Sequence, residues 1–245
     1  MKLEPSNLSN GNSAGPQRTQ QDGPTAPSSF PSLPSVEPER PHPVGLSALA
    51  AVTLDPPYQR LLDLARANCG GPVHWVRRKL AEAHDLLALA QISSRMQVLW
   101  LDLTAELRAM IDLRAPVPCL AGPEAPLQIL PLARLGLRYP QEALVAPQPG
   151  YSFVQVLAPR NVWLANVSRD DYQVVCLGAT LPISLPIKEL VMMTYGALTL
   201  QAIQIDLTDP AGVLNAAAAE WWQSPPNLRR IPLSREPFIF HRKKI

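Results

Sequence analysis

Apolar positions recur at helix spacing through residues 56–111 of this chain and give way to alternation after residue 150, and the two rhythms predict different elements. Tyr58, Leu61, Leu62 and Ala65 follow Pro56-Pro57 on one helical face, and Gly70-Gly71 supplies a stop. A short amphipathic helix is expected there. Beyond Pro72 a stripe of Val73, Val76, Leu80, Ala83, Leu87 and Ala90, with Arg78 and His84 off its centre, predicts a second helix. Another stripe follows in Met96, Leu99, Trp100, Leu103, Leu107, Met110 and Ile111. Stepping from Leu87 to Met96 at about 100° per residue turns the apolar face by about 180°, so the two stripes cannot share one straight helix. With Ser93 or Ser94 as N-cap, the pattern predicts a helical hairpin turning at 91–94.

Prolines at 116, 118, 123, 126, 131, 140, 147 and 149 crowd the stretch 115–150, which reads as an ordered connector with room for a short helix over 127–137. The texture then becomes β-branched and alternating, and three strands are expected over 151–156, 161–167 and 172–177, with Arg169-Asp170-Asp171 as the turn before the third. Segments 190–193 and 198–207 read as two further strands of an antiparallel sheet. Asp209-Pro210 looks like a helix start, and 211–222 a short helix ended by Pro225-Pro226. The fold class expected is α+β: a disordered tail over 1–44, a helical region over 45–114, the connector, and a mostly antiparallel β region with a short C-terminal helix over 151–245.

The tail is Ser, Pro, Gln, Asn and Gly with Phe30 as its one aromatic, too poor in core-forming side chains to offset the entropy of ordering. Over the whole chain, 28 prolines against 12 glycines make rigid punctuation the rule. A net charge of +2 is too small to argue for polyanion binding by the molecule as a whole. No stretch has the apolar length of a signal peptide core or a membrane span, and Lys2 excludes N-myristoylation, which needs glycine there. Cys69, Cys119 and Cys176 are widely spaced and odd in number, which fits free thiols in a reducing, cytoplasmic setting.

Catalytic signatures are missing. His74 and His84 share a predicted helix but face about 80° apart, and no HExxH or paired-Cys pattern completes a metal site. There is no GxSxG, SxxK, phosphate loop or dinucleotide fingerprint, and Asp170-Asp171 reads as a solvated turn. No catalytic residue, metal or cofactor is assigned. Trp221-Trp222 stands apart, because neighbours on a helix point about 100° apart and cannot enter one core side by side. One of the pair is then left for a protein partner, or packs under the C-terminal segment while the other enters the core. The C-terminal stretch sets Arg229, Arg230, Arg235, Arg242, Lys243 and Lys244 against Glu236 alone and interleaves Phe238, Phe240 and His241, a mixture suited to nucleic acid. Phe238 and its neighbours equally read as a last strand with a basic end.

The tail holds one sharp motif, Pro24-Thr25-Ala26-Pro27, followed by a PxxP spacing ending at Pro34. Such segments favour the polyproline conformation and dock into aromatic-lined grooves. Pro24-Thr25-Ala26-Pro27 resembles the late-budding motif of retroviral Gag and other viral matrix proteins. Across those four residues, the resemblance implies recruitment of the host ESCRT sorting machinery and a viral or viral-derived origin. The function expected is that of a non-enzymatic interaction or assembly protein, with oligomer formation left open. The alternative is a nucleic-acid binder using its basic, aromatic C-terminal segment, and a third reading is an enzyme whose site residues are dispersed along the chain.

Overall fold

Pro56 and Pro57 open helix α1 (Pro56–Ala67), where a missing N–H costs nothing, and Asn68 closes it ahead of the paired glycines. Helix α2 (Val73–Ile92) begins after Pro72 and stops at Ser93, whose backbone is extended. The computed structural model describes residues 49, 51–122, 125–141, 153–178, 181–202, 205 and 212–239. The expected disordered tail over 1–44 lies outside these described residues, and its motif with it.

The break at 91–94 is present, but the second apolar stripe is not a helix. It forms strands β1 (Met96–Asp102) and β2 (Leu107–Leu113), paired antiparallel. In β2, Leu107, Ala109, Ile111 and Leu113 are buried and alternate with Arg108, Met110 and Asp112, the period of a half-buried strand. A register shift between Val98 and Trp100 in β1 moves its apolar phase by one residue, and that bulge makes a strand pattern imitate helix spacing. Ser93 accordingly ends α2 rather than capping a following helix.

The main sheet has the order β1-β2-β5-β6-β7, with every pairing antiparallel. Strand β5 (Ala133–Tyr139) lies where a short helix was expected. Ala133, Leu135, Leu137 and Tyr139 point inward and Arg134 and Arg138 outward, so the nearby prolines delimit strands and do not break a helix. Between β2 and β5, β3 (Val117–Cys119) and β4 (Gln128–Leu130) pair as a separate ribbon. Strands β6 (Val154–Ala158) and β7 (Val174–Val175) complete the sheet. The strand expected over 161–167 is reduced to isolated bridges at Val162 and Val167.

Helix α3 (Ile187–Leu198) replaces the strand expected over 190–193 and the start of the one over 198–207. Lys188, Leu190, Val191, Thr194, Tyr195, Ala197 and Leu198 are all buried along it, and a helix buried on most sides shows no polar face by which a sequence would reveal it. Helix α4 (Ala216–Gln223) starts at Asn215, whose side chain accepts from the Ala218 amide. Asp209-Pro210 lies outside the described residues, and Pro225-Pro226 opens a further turn of helix, α5 (Pro225–Leu228). The fold is α+β, helices first and an antiparallel sheet after, with one cluster of buried residues running from Leu49 to Phe238.

Two polar locks tie the elements together, the first joining α2 to the β1–β2 turn and the second joining α2 to α3. The Lys79 ammonium is fully buried and donates to the carbonyls of Gly70 (2.6 Å), Ala105 (3.2 Å) and Leu103, which satisfies all its protons without a carboxylate. Gly70 is required there, because a Cβ would come 2.6 Å from the Thr104 carbonyl oxygen. On α2, Glu82 accepts from the Ile187 amide (2.8 Å) and pairs with Arg78 (2.6 Å), while Asp85 meets Lys188 at 2.8 Å.

Candidate partner-binding cleft

Four separate segments converge at the far end of the sheet: the loop after β3, residues 160–163 after β6, the turn 168–173, and α4. Gln173 organises them. Its buried carboxamide accepts from the Val162 amide (2.9 Å) and donates to the carbonyls of Val156 (3.1 Å) and Pro159 (2.8 Å). Its φ of +46° lies in the left-handed region, a conformation a non-glycine residue holds only when its surroundings fix it. Asp170 closes the turn by accepting from the Ser168 hydroxyl (2.7 Å) and the amides of Tyr172 and Gln173 (3.0 Å each). Those bonds, the hydroxyl foremost, hold its carboxyl below the usual carboxylate range.

Helix α4 is pinned beside this turn. The amides of Leu214 and Asn215 both donate to the Ala165 carbonyl (2.8 and 2.9 Å), and the Trp222 indole N–H donates to the Trp163 carbonyl at 2.8 Å. Trp222 is wholly buried. Trp221 stands edge-on to it, ring centroids 4.8 Å apart at 84°, and lies half-buried on the wall of a cavity of about 400 Å³. Trp163 lines the same cavity. Each indole carries a guanidinium: Arg169 lies 5.7 Å from the Trp163 ring centroid and Arg230 5.9 Å from that of Trp221.

The indole nitrogen of Trp163 is buried and has no hydrogen-bond partner among the described residues. An N–H left so costs about 1–3 kcal/mol. Sequence reasoning singled out Trp221 and Trp222 but not Trp163, Arg160, Arg169 or Gln173, because these sit in loops whose meeting depends on the tertiary fold.

Of the other described residues expected to matter, Arg230 reaches this cleft, over the Trp221 ring. Arg229, Arg230 and Arg235 are exposed. Phe238 belongs to the core: it packs edge-on against Tyr195 with centroids 5.5 Å apart, and its carbonyl accepts from the Ser93 hydroxyl. It therefore offers no free face for a base. Phe240, Arg242, Lys243 and Lys244 lie outside the described residues, as do Pro24, Thr25, Ala26 and Pro27. His74 approaches Gln141 and His84 the Val52 carbonyl, so the two histidines do not meet. Among the described residues no group of three His, Cys, Asp or Glu is placed to hold a metal, and no helix is long and apolar enough to cross a membrane.

A second cavity, of about 740 Å³, is walled by Cys176, Asn166, Met192, Met193 and Ala202. Asn166 and Cys176 are tied reciprocally: the Cys176 amide donates to the Asn166 carbonyl (2.8 Å) and the Asn166 Nδ2 to the Cys176 carbonyl (3.2 Å). Oδ1 of Asn166 is buried without a hydrogen-bond partner among the described residues. Cys119, in contrast, is enclosed in the core, where burial pushes its thiol up to about 11 and leaves it protonated and inert.

No family model matches the chain, and no curated protein or solved structure matches it either.

Proposed function

We propose that this chain is a non-enzymatic interaction protein of an assembly, and that its body captures a protein partner at the Trp163/Trp221 cleft. The observation that carries the reading is the pair of tryptophans, Trp163 and Trp221, on the wall of one cavity, each with a guanidinium over its ring. Tryptophan and arginine dominate the binding energy of protein interfaces. The tail motif Pro24-Thr25-Ala26-Pro27 would add a linear docking element, and three free thiols support a reducing, cytoplasmic setting. Affinity capture from cells expressing the chain tests the cleft. A partner should be retained by the wild type and by Trp100→Ala, which alters an exposed tryptophan on β1, and lost from Trp221→Ala. Equal retention by all three rejects the reading.

A second reading, covalent chemistry at Cys176, draws support from one observation: Cys176 and Asn166 line one cavity. On that reading a thiol-directed electrophile modifies Cys176 faster than Cys69, and Asn166→Ala changes the rate. Equal rates at the two cysteines would dismiss it.

A further inference from the structure

We propose that the cavity walled by α3 and residues 176–178 binds an uncharged, predominantly apolar small molecule, at a site separate from the partner cleft and without any reaction at Cys176.

The lining decides the class of ligand. Leu177, Met192, Met193, Ala197 and Ala202 supply apolar surface, and the polar members are Asn166, Cys176 and Gln201. Among the described residues no carboxylate, ammonium, guanidinium or imidazole lines this cavity, whereas Arg160, Arg169, Asp170 and Asp171 all line the Trp163/Trp221 cleft. An occupant with a net charge would leave water for a wall that holds no counter-ion, and an unpaired ion is costly to bury.

The polar members point the same way. Asn166 is buried, and its carboxamide nitrogen is spent on the Cys176 carbonyl (3.2 Å), while the Cys176 thiol leans on the Gly178 carbonyl at 3.8 Å. Gln201 is exposed at the rim, where its carboxamide nitrogen donates to the carbonyls of Ser234 (2.8 Å) and Glu236 (3.0 Å). Those two bonds use both of its protons and leave the rim an acceptor, which a neutral hydroxyl can meet and a carboxylate cannot.

Size and plasticity suit a small guest. The volume, about 740 Å³, falls within the range of about 300–1,000 Å³ that small-molecule sites occupy. Met192 and Met193 are half-buried neighbours on α3, and their unbranched thioethers reshape around a guest where branched side chains would impose one outline. Gly196 and Ala202 face each other across the space, since a Cβ added to Gly196 would meet the Ala202 Cβ at 3.7 Å. A large side chain at exposed Ala202 would therefore fill the site from its rim.

The test uses the full chain carrying carbon-13 methyl methionine, titrated separately with decan-1-ol, decanoate and decyltrimethylammonium, probes that share one chain and differ in charge. The methyl resonances of Met192 and Met193, assigned with Met192→Leu and Met193→Leu, should move and saturate with decan-1-ol. Those of Met96, buried in the core, and Met110, on the opposite face of the sheet, should stay in place. The charged probes should bind roughly tenfold more weakly or worse. Ala202→Trp should abolish the decan-1-ol shifts without lowering the thermal midpoint of the body. Equal or tighter binding of either charged probe overturns the inference, as do shifts that persist in folded Ala202→Trp, shifts spread equally to Met96 and Met110, or no shift up to the solubility limit of decan-1-ol. Should Ala202→Trp fail to fold, the ranking of the three probes on the wild type decides alone. Partner capture that depends on Trp221 is a separate measurement, so either reading can fall without the other.

Discussion

Oε2 of Glu82 lies 2.8 Å from the amide nitrogen of Ile187, so a carboxylate on α2 caps the N-terminus of α3. Helix α3 has no cap of its own, since Pro186 stands at its N-cap position without a side-chain acceptor, and a negative charge there also meets the positive end of the helix dipole. Glu82→Ala should therefore destabilise the protein by about 2–4 kcal/mol, leaving a buried N–H and the Arg78 guanidinium uncompensated. Urea unfolding reads the loss, and a change within experimental error would show that α3 is held by packing alone.

The same carboxyl predicts a pH dependence. Burial pushes Glu82 above the usual carboxylate range, against the opposing pull of the Ile187 amide and Arg78. With a folded pKa above the unfolded one, the native state holds the proton more tightly. The contribution is complete below the ordinary carboxylate pKa and declines as pH rises through the folded value. The stability of the wild type relative to Glu82→Gln should accordingly fall with rising pH across that window. A difference that rises with pH would invert the assignment.

Asp170 runs the other way. Its carboxyl is held low by the Ser168 hydroxyl and the Gln173 and Tyr172 amides, so its contribution is present above the ordinary pKa and is lost as pH falls through the folded value. Acid should loosen the turn that walls the cleft, seen as amide shifts of Tyr172 and Gln173 that titrate together. Shifts at the ordinary aspartate pKa would place the turn's strength elsewhere.

Gln173→Ala removes three hydrogen bonds and strands the Val162 amide. A cost of about 2–3 kcal/mol is expected, together with weaker partner capture, since residues 160–163 lose their anchor. Capture unchanged at saturating protein would show that the cleft is shaped without it.

For the tail, a peptide spanning Pro24–Pro27 should bind an ESCRT-type receptor domain, and changing both prolines to alanine should abolish that binding without altering the thermal midpoint of the body. Equal binding by the two peptides, or none by either at millimolar concentration, would reject the motif.

How legible this protein was depended on where polar residues interrupt the apolar ones. Helices α1 and α2 and the break at Ser93 could be read because proline, glycine and a one-sided stripe agree there. The β1–β2 hairpin was hidden by the bulge before Trp100, which offsets two halves of one alternation. Strand β5 shows clean alternation, yet Pro131 and Pro140 at its flanks drew attention to chain breaks instead. Helix α3 reads as strand because Val191, Thr194 and Tyr195 are β-formers and its burial leaves no polar stripe. In the cleft, Trp221 announced itself by sitting next to Trp222. Trp163 and Gln173 became visible only through bonds between segments distant in sequence, Gln173 to Val162 and Trp222 to Trp163.

The carbonyl cage around Lys79 makes that side chain a reporter. An amine-modifying reagent reaches exposed lysines at once, but the Lys79 ammonium is sealed between the α1–α2 loop and the β1–β2 turn. Modification at this one position requires the β1–β2 turn to part from α2, so its rate clocks that opening. Mass spectrometry of a single tryptic peptide would thus follow it inside a crowded extract, with no purification and no spectroscopic label.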